Sequence, residues 1–115
     1  MTNWQYEIFQ DLAKLTDFPE TPEAEWHVRR PTAQAYKAAV DLISIVPIGN
    51  APRPRIAPDR RGGIQFEWEK GAFGLEIGVS PEGVFECLKV TADKEEEISG
   101  SANKARDLLL WFAKL

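Results

Sequence analysis

Few side chains in this chain are equipped for covalent chemistry, and their spacing decides what chemistry is open to it. The one cysteine, Cys87, and the one histidine, His27, are the pair a thiol–imidazole nucleophile would need. Cys87 falls mid-strand with Phe85, Leu88 and Val90 around it, a setting in which a thiol packs rather than reacts. His27, between Trp26 and Val28, reads as a hydrogen-bonding loop histidine. One histidine and one cysteine so far apart make no structural zinc site. Glu95, Glu96 and Glu97 read as a solvated face, and Arg61-Gly62-Gly63 lacks the spacing and the lysine of a phosphate-cradling loop. No catalytic residue, metal site or cofactor is expected.

Two charged groups remain as candidates. Glu67, Glu69 and Glu76 share one face of the expected sheet with Gly74 and Gly78. Paired carboxylates do acid–base work only in a desolvated cleft that splits their pKa values, and nothing local builds one. An ordinary polar sheet face accounts for them; the functional alternative is a docking surface for a basic partner, where glycines let a backbone come close. The second group is Arg53, Arg55, Arg60 and Arg61, within PIGNAPRPRIAPDRR. These arginines either pair with the chain's own acids or form an extended strap that grips carboxylates or phosphates through bidentate contacts.

The elements that must position these groups follow from periodicity. Ile64, Phe66 and Trp68 alternate with Gln65, Glu67 and Glu69, and Phe73, Leu75, Ile77 and Val79 alternate with Gly74, Glu76 and Gly78. A two-residue loop on Lys70-Gly71 is expected to join these runs, because a loop on Gly71-Ala72 would set Glu67 against Glu76. Ser80-Pro81-Glu82-Gly83 predicts a three-residue hairpin loop, with Pro81 at the first turn position and Gly83 left-handed. The third strand then carries Phe85 and Cys87 on the apolar face and Glu86, Leu88 and Val90 on the outer one. It is apolar on both sides, so either the outer face is covered or the register is shifted by one.

A helix is predicted over residues 3–15, with Thr2 and Gln5 at capping-box spacing and a stripe of Trp4, Ile8, Leu12 and Leu15. Residues 19–30 read as an acidic, proline-punctuated loop. A second helix is predicted from Thr32, its N-cap, to Val46, with Tyr36, Ala39, Val40, Ile43 and Val46 inward. Pro47, Pro52, Pro54 and Pro58 forbid helix and any central strand, so Arg53-Pro54-Arg55 is expected to be extended, polyproline-like and hydrated. Residues 91–101 are expected to lead, as an acidic segment, into a last helix capped by Ser99 or Ser101. Its stripe is Ala105, Leu108, Leu109, Phe112 and Leu115.

With 115 residues, 43% apolar and 28% charged, the composition is that of one globular domain, residues 1–115. The net charge of −4 is unevenly spread. Residues 1–28 set six acids against Lys14; residues 29–61 set Arg29, Arg30, Lys37 and the four arginines above against Asp41 and Asp59. A mildly acidic whole argues against nucleic acid as a partner, whereas the basic island suggests a local contact. No apolar run reaches membrane-spanning length. The amino terminus lacks the basic and apolar regions of a secretory signal, and one cysteine allows no internal disulfide, so a cytoplasmic protein without membrane contact is expected. Trp4, Tyr6, Phe9, Leu110 and Trp111 suggest more apolar surface than a small sheet can hide, hence a homo-oligomer or one protein partner.

Pro52-x-Pro54, then Gly62-Gly63-Ile64 and Trp68, then the Pro81-Glu82-Gly83 turn, resemble a family of small uncharacterised bacterial and phage proteins over residues 52–90. The resemblance implies a prokaryotic, cytosolic, non-enzymatic protein working beside a neighbouring gene product. The expected fold is α+β, order α-α-β-β-β-α, with a three-stranded antiparallel meander covered by helices. The expected function is a protein-binding or self-associating module. The alternatives are a small enzyme or nucleotide-binding protein using the arginines on a phosphate, and a toxin-neutralising or host-inhibiting protein.

Overall fold

The alternating runs form strands, but they are the middle of a wider sheet. In a computed structural model, which describes residues 3–16, 30–45 and 52–115, the elements run α1 (Asn3–Thr16), α2 (Ala33–Ile45), β1 (Arg55–Pro58), β2 (Ile64–Lys70), β3 (Phe73–Val79), β4 (Phe85–Val90), β5 (Glu95–Gly100) and α3 (Ala102–Ala113). The strands make one antiparallel meander in the order β1-β2-β3-β4-β5. The fold is therefore α+β as expected, with five strands rather than three among the described residues. Both additions have a reason. The prolines of the arginine segment exclude a central strand but not an edge, and β1 is an edge, pairing Arg55 with Glu67 and Pro58 with Ile64. The expected hydrated polyproline stretch is corrected accordingly: Pro54 is buried. The acidic segment after β4 is also a strand, β5, because an edge needs few apolar residues; Ile98, opposite Cys87, is its one large apolar side chain on the inward face.

The β2–β3 hairpin takes the register that charge alone argued against. Lys70 pairs with Phe73, Trp68 with Leu75 and Glu67 with Glu76, so the loop is Gly71-Ala72. Gly71 has φ +61° and Ala72 is not left-handed, the arrangement of a turn with glycine at its first central position. A Lys70-Gly71 loop would instead have put Lys70 there. The like-charge cost is offset from outside the hairpin, since Arg55 of β1 donates to Glu67 at 2.8 Å and Glu69 at 3.3 Å. The β3–β4 loop is as expected: the Gly83 amide donates to the Ser80 carbonyl at 2.8 Å, and Gly83 has φ +82°.

All three helices lie on the face that carries Ile64, Phe66, Trp68, Leu75, Ile77, Val79, Phe85 and Cys87. α1 contributes Ile8, Leu12 and Leu15; α2 contributes Ala35, Ala39, Leu42 and Ile43; α3 contributes Ala105, Leu108, Leu109 and Phe112. Thr32 caps α2 as its residue type predicts, accepting the Ala35 amide at 3.1 Å. Its backbone N–H donates to the Gly62 carbonyl and its hydroxyl to the Pro81 carbonyl, which ties the helix start to two turns at one end of the sheet. Ser101 occupies the N-cap of α3, and Ser99 lies in β5. Trp111, outside the α3 stripe, packs edge-on to Phe73 and Phe112, with the Lys89 ammonium 4.4 Å from its ring centre.

The wider sheet also answers the expected excess of apolar surface. Trp4, Phe9 and Trp111 pack against the core, and the large apolar side chains left exposed are Tyr6, Ile45 and Val84, on separate elements, among the described residues. Thr2, His27, Arg29 and Val46 lie outside the described residues, as does the acidic loop before Arg30.

Candidate functional site

Strand pairing arranges the face opposite the helices in three transverse rows. The central row runs Arg55, Glu67, Glu76, Leu88, Glu97 across all five strands. On one side lie Ala57, Gln65, Gly78, Glu86 and Ser99; on the other, Glu69, Gly74, Val90 and Glu95. No described element covers this face. Leu88 and Val90 sit on it half-buried, so the two-sided apolarity of the third expected strand reflects its true register rather than a slip.

Glu67, Glu69 and Glu76 are thus brought together; Glu86, expected on the outer face but not as a contact, joins them, as do Glu95 and Glu97, expected only as part of a solvated face. The missing signal was strand order: Glu95 and Glu97 reach this face only because β5 pairs with β4. Burial, and then the charges of Glu67, Glu95 and Glu69, push the Glu76 carboxyl above the usual carboxylate range. Glu76, Glu95 and Glu97 have no cation within ion-pair distance among the described residues.

The folded chain holds the Glu76 proton more tightly than the unfolded chain. Ionising this carboxyl therefore costs stability as pH rises above the unfolded value near 4.3, and the cost is absent well below it. Glu76→Gln is expected to stabilise the protein at pH 7 by about 0.2–1 kcal/mol, the scale of a like-charge cross-strand pair. The two proteins should converge below about pH 4. Urea midpoints at the two pH values check this; a variant less stable than the parent at pH 7 would count against it.

The arginines are largely engaged with the chain's own acids. Arg53 pairs with Glu7 and, at 2.8 Å, Asp11 of α1, joining that helix to the lead-in of β1. Arg55 bridges Glu67 and Glu69. Arg61 hydrogen-bonds Asp59 at 3.1 Å and reaches Glu86 at 3.5 Å. Burial pushes the Asp59 carboxyl up, but the hydrogen bonds from Arg61 outweigh it and hold Asp59 below its usual value. Arg60 is exposed and borders, with Arg61, a shallow depression that also presents Asp59 and Glu67. An anion there would compete with Asp59 and Glu86 for the Arg61 guanidinium.

Cys87 is buried on the helix-facing side, and burial pushes its thiol up to about 11. Labelling of the native protein by a disulfide reagent at pH 8 should run more than about a hundredfold slower than labelling of an ordinary thiol of pKa near 8.5. It should accelerate in step with unfolding in urea; fast labelling of native protein would show the thiol to be accessible. Among the described residues there is no cluster of three metal-ligating side chains, and no helix is long and apolar enough to cross a membrane.

Comparison with protein-family models, with curated proteins and with solved structures gave no match.

Proposed function

We propose that this chain is a non-enzymatic binding module that captures one basic protein partner on the outer face of its sheet. The carrying observation is the uncovered face itself. Six glutamates (Glu67, Glu69, Glu76, Glu86, Glu95 and Glu97) lie there against Arg55 and the reach of Arg61. A cationic partner would relieve the repulsion among Glu67, Glu76 and Glu95, which adds to burial in raising Glu76, and the predominantly negative sign would speed encounter and reject acidic partners.

The face suits this role better than the sheet edges. β1 is short, preceded by Pro54 and ended by Pro58, and β5 opens on three successive glutamates; both are devices that discourage strand addition. Two copies meeting through this face would set glutamate against glutamate, so the partner is a different chain. A neighbouring gene product, implied by the resemblance of residues 52–90 to small bacterial and phage proteins, is the place to seek it. A toxin-neutralising or host-inhibiting protein would be a special case.

The test is co-expression with the flanking gene products, followed by titration of any chain that co-purifies. Support requires binding that weakens with salt and is lost in the Glu67→Gln/Glu76→Gln/Glu97→Gln triple variant while its circular dichroism is unchanged. Binding that survives the triple variant, or a homodimer that occupies this face, would overturn the proposal.

A further inference from the structure

Of the depressions on the outer face, two lie on either side of Glu76, and each has a glycine of β3 in its lining. The larger, about 420 Å³, lies over Gly78 between Glu76, Glu86, Leu88 and Glu97. The smaller, about 200 Å³, lies over Gly74 between Glu67, Glu69, Glu76 and Val90. Each therefore combines an apolar wall, Leu88 or Val90, with a carboxylate rim that includes Glu76. That is the complement of a lysine or arginine side chain, whose methylene stem favours apolar cover and whose head favours carboxylates. The chain's own guanidiniums already sit at the outer rims, Arg55 on Glu67 and Glu69, Arg61 by Glu86. Glu76, between the two depressions, has no cation within ion-pair distance among the described residues.

From this we infer that the captured partner presents two cationic side chains about 13 Å apart, the span of four strand residues between Gly74 and Gly78, one seated in each depression. The inference rests on the acidic face being the docking surface. In an extended segment aligned with β3, positions i and i+4 point the same way at that spacing, whereas i and i+2 fall short. The glycines are then required for space rather than for backbone conformation. A Cβ on Gly74 would meet Val90 Cβ at 3.5 Å, an ordinary contact, and one on Gly78 would meet only the mobile Gln65 amide oxygen at 3.1 Å and the Glu86 carbonyl at 3.5 Å. Larger side chains at these positions can fill the depressions and leave the sheet intact.

The experiment titrates the full chain with two capped nine-residue peptides of alternating valine and serine, one with arginines at i and i+4, the other at i and i+2. Backbone amide shifts and affinity are read together. The i+4 peptide is expected to bind at least fivefold tighter, to shift the amides of both Gly74 and Gly78, and to lose that advantage in Gly74→Leu and Gly78→Leu. Gly74→Ala and Gly78→Ala serve as folded intermediates should either leucine variant fail to fold. Equal, salt-sensitive binding of both peptides would overturn the two-depression arrangement and leave the acidic docking face standing. Shifts confined to other surfaces, or no binding of either peptide, would overturn both.

Discussion

Trp68→Ala is expected to lower the stability of this protein by about 3–5 kcal/mol, the range for truncating a buried aromatic. Against a total of roughly 5–15 kcal/mol for a domain, that leaves little or no margin. Trp68 is 2% exposed, and its ring stacks on Phe66 with centroids 6.0 Å apart. Its indole N–H also donates to the Pro52 carbonyl at 2.9 Å, so the same side chain fixes the segment leading into β1. Trp68→Phe keeps most of the apolar area and removes that hydrogen bond, which should cost less, about 1–2 kcal/mol. Urea unfolding followed by circular dichroism separates the two. If Trp68→Ala unfolds at the parent's midpoint, the face carrying Ile64, Phe66 and Trp68 is not the core.

The second large effect comes from a glycine that lacks a positive φ. A Cβ on Gly63 would stand 2.2 Å from the Val79 carbonyl oxygen, a backbone atom with no rotamer to move. Gly63→Ala must therefore push apart the start of β2 and the end of β3, where Ile64 pairs with Val79 and the Asp59 amide donates to the Gly63 carbonyl. A loss of about 3 kcal/mol, the upper part of the over-packing range, is expected. Reduced amide protection should concentrate around Ile64 and Val79. Gly71→Ala is the control: nothing lies within 4 Å of its Cβ, and the cost is only the left-handed backbone at φ +61°, about 1–2 kcal/mol. A loss at Gly63→Ala no larger than that at Gly71→Ala, with amide protection around Ile64 and Val79 unchanged, would show that close approach is not what Gly63 provides.

The candidate surface was half visible from the residues alone. Glu67, Glu69 and Glu76 were legible as one face because alternation in β2 and β3 fixes which way each side chain points, whatever the register. The arginines were legible as a charge excess, but not as the partners of Glu7, Asp11, Glu67 and Glu69. Those pairs join segments that the chain brings together only by folding α1 and β1 around the hairpin. Glu95 and Glu97 looked like a solvated run, since an edge strand with Ile98 as its single large apolar inward residue has too little pattern to announce itself.

Local chemistry was enough to define the helices, the central meander and its apolar face, and the Pro81-Glu82-Gly83 turn, because periodicity and turn conformation act within a few residues. Three-dimensional packing decided the rest: the strands at each edge, the loop on Gly71-Ala72, and the gathering of six glutamates on one open side. Whether two like charges can stand opposite each other depends on what the next strand places beside them. Here that was Arg55, whose position no short window of sequence contains.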